Sequence, residues 1–187
     1  MLNTQRGFSL LETLLAMAIG SVILLAAARF LPALQLAVLR QTHIQTLEDE
    51  LWQRLFTVAR HLQRAGYCPG VCAGQPVVIG REGRCVIVQW DANSNGRWET
   101  TPASDADRTG FRLQNGVLET LRGAASCEGK GWDKMTDPNA VEIDHFQVAR
   151  QEHAGLAPVF NVSLAGRVKG GASPRIAAEF SVSGFNL

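Results

Sequence analysis

From Phe8 to Ala28 the chain carries one formally charged residue, Glu12, and stays otherwise apolar until Arg29. A bilayer core of about 30 Å is crossed by roughly 20 mostly apolar helical residues, so this stretch supplies one membrane span. The apolar residues are therefore unevenly spread, and the remainder beyond the span reads like a soluble domain. With 187 residues, 46% hydrophobic content and a net charge of +1, the chain can bury one ordinary core. It has no charge excess for a polyanion, so no nucleic-acid partner is expected.

The residues ahead of the span are ordered unlike those of a secretory signal, in which the small-residue cleavage site follows the apolar run. Here the small residue, Gly7, comes first, in Gln5-Arg6-Gly7-Phe8-Ser9-Leu10-Leu11-Glu12. Cutting after Gly7 would remove a polar leader, residues 1–7, and leave the span, 8–28, in the product. This arrangement resembles the type IV prepilin family, whose leader ends in Gly, is cut by a dedicated membrane peptidase on the cytoplasmic side, and continues Phe-Ser-Leu-Leu-Glu. The resemblance implies that Gly7 precedes the scissile bond, that Phe8 becomes the N-methylated first residue, and that Glu12 is the acid at the fifth mature position. It also implies its partners: prepilin peptidase, other minor pilins, the major pilin and the inner membrane.

The chemistry of Glu12 points the same way. An ionised side chain deep in a membrane helix costs on the order of 2.5–3.5 kcal/mol on insertion scales, and such residues usually face a partner. Cleavage after Gly7 creates a cation at the Phe8 amine, and in a staggered stack of parallel helices a neighbour's amine can reach the carboxylate and set the axial register. The alternative is a Glu12 that snorkels to the membrane surface. Arg6 and the initial amine hold the leader in the cytoplasm, which sends everything beyond the span to the periplasm.

Past the span, Pro32 should kink the helix, since proline lacks an N–H and clashes with the preceding turn, but good helix formers resume at once. From Ile44 the apolar residues Leu47, Leu51, Leu55, Val58 and Leu62 recur at steps of three and four, with Glu48, Asp49, Gln53, Arg54, Arg60 and Gln63 on the other face. Trp52 and Phe56 should broaden the buried stripe, and Gly66 should end it. The whole rod, 8–65, would extend about 85 Å; its half at 29–65 is amphipathic and must cover a domain, 66–187.

That domain reads as strands. Cys85–Trp90 is a β-branched run, Gly110–Gln114 joins Val117–Arg122 through the hairpin signal Asn115-Gly116, Val141–Arg150 alternates, and Pro158–Ala165 and Ile176–Phe185 complete the set. The fold class expected is α+β: a long N-terminal helix, membrane-spanning then amphipathic, packed on an antiparallel β-sheet, as the pilin-like resemblance also implies. Phe30–Gln35, Cys85–Asp91, Leu118–Gly123 and Gly184–Leu187 extend the resemblance toward the J-type minor pilins and pseudopilins.

Cys68, Cys72, Cys85 and Cys127 all lie beyond the span, an even set suited to two disulfides in an oxidising compartment. Of the three pairings, Cys68 with Cys72 and Cys85 with Cys127 is preferred. A zinc site is set aside because the histidines are scattered. Asp91-Ala92-Asn93-Ser94-Asn95-Gly96 fits the first half of a calcium loop, with Glu99 at the ninth position. Pro102 stands where an EF-hand needs its bidentate Glu, so an EF-hand is excluded. A polar turn is the favoured reading, with a structural calcium on Asp91, Asn93, Asn95 and Glu99 as the alternative and no other cofactor expected.

Gly123–Lys130 fails the phosphate-loop pattern, and no nucleophile motif frames the serines and histidines, so no enzyme is indicated. Trp90, Trp98 and Trp132 are read as packing residues. The reading overall is a minor type IV pilin. Its alternatives are a minor pseudopilin of a type II secretion system or, in another class, a pilus-tip adhesin or DNA-binding module.

Overall fold

The computed structural model describes residues 9–102, 105–170 and 174–187. The leader 1–7 and Phe8 lie outside the described residues. The chain divides into two compact units, Met1–His43 and Ile44–Leu187.

The helix α1 spans Leu10–Arg64, and Pro32 lies inside it without ending it. In the first unit nearly every side chain from Ser9 to His43 is exposed. The second unit is built on the amphipathic part of α1. Leu47, Leu51, Leu55, Val58, Ala59 and Leu62 are buried, as the spacing of three and four requires. Phe56 departs from the expected stripe: it is 40% exposed. It lies one position past the buried face and packs edge-on against Phe180, with ring centres 5.1 Å apart.

Among the described residues eight antiparallel strands come after the helix: β1 (Val77–Gly80), β2 (Cys85–Gln89), β3 (Arg108–Gln114), β4 (Val117–Arg122), β5 (Asp133–Lys134), β6 (Val141–Gln151), β7 (Val159–Val168) and β8 (Ile176–Ser183). Asn115 and Gly116 both adopt positive φ, 50° and 76°, the primed turn that matches strand twist in a two-residue hairpin. Instead of the single sheet expected, two form: β1–β5 in sequential order, and β6-β7-β8. The reason lies at the free edge of β4. Segment 133–136 occupies it, through the β5 pairs Glu119↔Lys134 and Thr120↔Asp133 and through Met135 N–H to Leu118 O at 2.8 Å. That edge is therefore unavailable to β6. The two sheets and α1 share one core, in which Val86, Val88, Phe111, Leu113 and Leu118 meet Ile143, Phe146, Phe160, Val162 and Leu164.

Strand β6 does not alternate strictly. Its buried residues are Val141, Ile143, Phe146 and Val148, and the register shifts between Ile143 and His145. The extra residue is absorbed as a bulge, which turns Phe146 rather than His145 toward the core.

Two disulfides brace the unit: Cys68–Cys72, with Cα atoms 6.2 Å apart, and Cys85–Cys127, 6.1 Å apart.

Candidate functional site

The first turns of α1 set the site. Ser9 O accepts the Glu12 N–H at 3.0 Å and the Thr13 N–H at 3.2 Å, so Glu12 stands in the first turn, where the helix dipole favours an acid. Among the described residues its carboxylate has no hydrogen-bond or ion-pair partner. Around it Leu10, Leu11, Leu14, Leu15, Met17 and Ile19 are all exposed, Leu10 by 78%. Apolar exposure continues through Val22, Ile23, Leu24 and Leu25 to Phe30, Leu31 and Leu39. An apolar surface of that extent is not stable in water and calls for lipid or packed neighbours.

The hydroxyls of Thr13 and Ser21 in this half are satisfied within the helix. Thr13 Oγ1 donates to Leu10 O and Ser21 Oγ to Ala18 O, both at 2.8 Å. Such back-bonding leaves these hydroxyl protons no need of water, as a helix in hydrocarbon requires. The segment is long and apolar enough to cross a membrane, and it fits a single-pass membrane protein. Gly7 and Phe8, the expected cleavage and methylation positions, lie outside the described residues.

In the second unit the four calcium-loop residues are gathered in one turn. Asp91 Oδ2 accepts the Gly96 N–H at 2.7 Å, Asn93 Oδ1 accepts the Asn95 N–H at 3.0 Å, and Asn95 Nδ2 donates to Glu99 Oε1 at 2.6 Å. Asp107, which the sequence pattern does not single out, clamps both ends of this turn: its carboxylate accepts from Ala92 N–H at 3.1 Å and Glu99 N–H at 3.0 Å. Nothing in the loop motif points to a residue so far downstream. Among the described residues, no three side chains of His, Cys, Asp or Glu converge on one metal position.

Two of the four histidines, His61 and His145, have defined partners. His61 Nδ1 lies 2.9 Å from Thr57 O, and its ring stands edge-on to Phe111 at 5.0 Å. Burial lowers its pKa below the ordinary 6.5, the Thr57 carbonyl opposes that shift, and the charge of Arg64 adds to it. His145 Nε2 is 2.8 Å from Ser163 Oγ, while the neighbouring Asp144 carboxylate is paired to Arg175 at 3.0 Å. The grooves flanking His145 are open and shallow, about 350 and 340 Å³. Trp90, Trp98 and Trp132 each have a partner of their own. Trp90 packs under Arg64 and Trp132 under Arg112, at 4.9 and 4.2 Å, and Trp98 Nε1 donates to Tyr67 O at 3.2 Å.

An apolar helix that carries one acid in its first turn and continues into the core of an antiparallel α+β unit is the arrangement of a type IV pilin-like protein. The comparisons agree. The family described as prepilin peptidase-dependent protein B matches residues 40–184, and the prokaryotic N-terminal methylation motif matches residues 2–28. Prepilin peptidase-dependent protein B of Escherichia coli (strain K12) is 58% identical over 183 residues, which is 98% of this chain and 98% of that protein. The chain belongs to the prepilin peptidase-dependent protein B family. No solved structure matches it.

Proposed function

We propose that the chain is a minor type IV pilin, cut after Gly7 by prepilin peptidase and N-methylated at Phe8, that helps initiate or cap a pilus. It begins as a single-pass inner-membrane protein, N-terminus cytoplasmic, with residues 66–187 in the periplasm. The observation that carries this reading is the carboxylate of Glu12, without a partner among the described residues, in an exposed apolar helix, together with the methylation motif over residues 2–28. The name of the Escherichia coli relative supports the processing step.

Each link has a physical cause. Cleavage liberates an amine on Phe8, and in a staggered bundle the amine of an adjacent subunit comes beside Glu12. Away from water the attraction between the two is strong and the cost of leaving either alone is high, so subunits shifted by a turn are disfavoured. Leu10, Leu11, Leu14, Leu15, Met17 and Ile19 provide the helix-to-helix contact, with the major pilin and other minor pilins as neighbours. The chain acts as a substrate of the peptidase and a part of the filament, with no catalytic step of its own.

The test is mass spectrometry of the protein from cells with and without prepilin peptidase, paired with pilus counts for Glu12→Gln. The mature chain is expected to start at N-methylated Phe8 in the first strain and at Met1 in the second. Glu12→Gln should be processed normally and fail to support pili. A chain that starts at Met1 in peptidase-positive cells overturns the reading. Co-purification with secretion pseudopilins in place of pilins would move it to the type II secretion filament.

A further inference from the structure

Asp91, fully buried, begins the turn, with Oδ1 and Oδ2 accepting the N–H groups of Asn95 and Gly96. Asn93 Oδ1 accepts the Asn95 N–H, and Asn95 Oδ1 accepts the Arg97 N–H, each at 3.0 Å. A polar turn that simply satisfied its own backbone would need no more than these bonds. Glu99 is the residue such a turn does not explain. One carboxylate oxygen meets the Asn95 amide, while the other, Oε2, is sealed from solvent and has no hydrogen-bond partner among the described residues. A charged oxygen in that position needs a donor or a cation, because burial removes the water that would otherwise solvate it. No donor among the described residues reaches it.

We propose that Asp91–Glu99 is a binding site for a calcium ion, liganded by side-chain oxygens of Asp91, Asn93 and Asn95 and by the free oxygen of Glu99. The donors are all oxygen, which selects a hard cation over zinc or copper. The donors lie on an irregular nine-residue turn, and such a turn suits the larger, irregular shell of calcium better than the strict octahedron of magnesium. Two carboxylates and two neutral amides give modest charge, so affinity falls in the weak class of extracellular modules, about 0.1–1 mM. The backing is rigid. Tyr67 O accepts the Asp91 N–H at 2.9 Å, Asp107 holds both ends, and Gly70 in the Cys68–Cys72 loop packs so closely on Gly96 that a Cβ there would lie 2.4 Å from its carbonyl oxygen. Calcium would therefore join the disulfide loop after α1 to the turn after β2. This site is independent of cleavage at Gly7.

The full chain in detergent micelles, stripped with EDTA and titrated with calcium chloride alone, tests it through the thermal midpoint and tryptophan fluorescence. The native chain should respond saturably with a half-point of about 0.1–1 mM, and magnesium chloride at equal concentration should not reproduce the response. Glu99→Gln keeps an acceptor for Asn95 and removes the charge, so its half-point should rise at least about tenfold. Asn93→Ala, at an exposed position, should weaken binding by a comparable factor and guards against misfolding of the first variant. The proposal fails if the native chain is indifferent to about 10 mM calcium, well above the expected range, or if both folded variants keep the native half-point.

Discussion

Replacing Arg112 by methionine should strongly destabilise the second unit. Arg112 on β3 lies opposite Glu119 on β4, with Nε donating to Glu119 Oε2 at 2.8 Å. Its Nη1 donates to Cys127 O at 2.9 Å and Gly129 O at 3.3 Å, and the guanidinium lies over the Trp132 ring. The two charged side chains are only 9% and 14% exposed, so this pair is not screened as a surface pair would be. Removing the cation strands Glu119 and orphans two carbonyls beside the Cys85–Cys127 bridge, at a cost of about 3–5 kcal/mol. For a chain of this size that lowers the thermal midpoint by about 6–20 °C. Arg112→Lys keeps the charge but loses the planar fork, and should fall between. Arg112→Met with Glu119→Leu should recover part of the loss, because it no longer leaves an unpaired buried charge. Thermal melts in detergent under oxidising conditions, followed by near-ultraviolet circular dichroism, measure all three. A loss for Arg112→Met of no more than the ~1 kcal/mol typical of exposed pairs, or a double variant as unstable as the sum of the single ones, would refute the reasoning.

Gly66→Ala should cost about 1–3 kcal/mol, because φ there is +83° and a Cβ would lie 2.3 Å from the Asn186 carbonyl oxygen. Gly129→Ala is the control: its φ is +93° with nothing within 4 Å, so melts of the two variants separate contact from backbone strain. His61 gives a pH dependence. Its folded pKa lies below 6.5, so the unfolded chain binds the proton more readily; stability is full above pH 6.5, declines as pH falls toward the folded value, and is level beneath it. Melts between about pH 5 and 8 should show that decline in the native chain and lose it in His61→Gln; an unchanged profile in the variant would assign the effect elsewhere.

Features fixed by neighbours in sequence are legible without the structure. The stripe Leu47, Leu51, Leu55, Val58, Leu62 comes from helical periodicity, and Asn115-Gly116 names its own turn because few residues tolerate two successive positive φ values. Features decided by competition between distant segments are not. Whether β6 joins the first sheet depends on who occupies the edge of β4, and the occupant is Asp133–Lys134, a pair with no strand pattern at all. Strand β1 escapes a sequence reading because four residues between Pro76 and Arg81 are too few to show a period. Hydrophobicity alone places Phe56 in the stripe, although the helix turns it toward Phe180 at the margin of the core. The Asp91–Glu99 turn divides along the same line. Asp91, Asn93 and Asn95 announce themselves by spacing, but what gives them a reason beyond a turn is the sealed oxygen of Glu99. Asp107, brought back by the chain between β2 and β3, pins Glu99 in place through its N–H. A motif therefore reports which donors a loop could offer, and tertiary closure decides whether one of them is left in need of a cation.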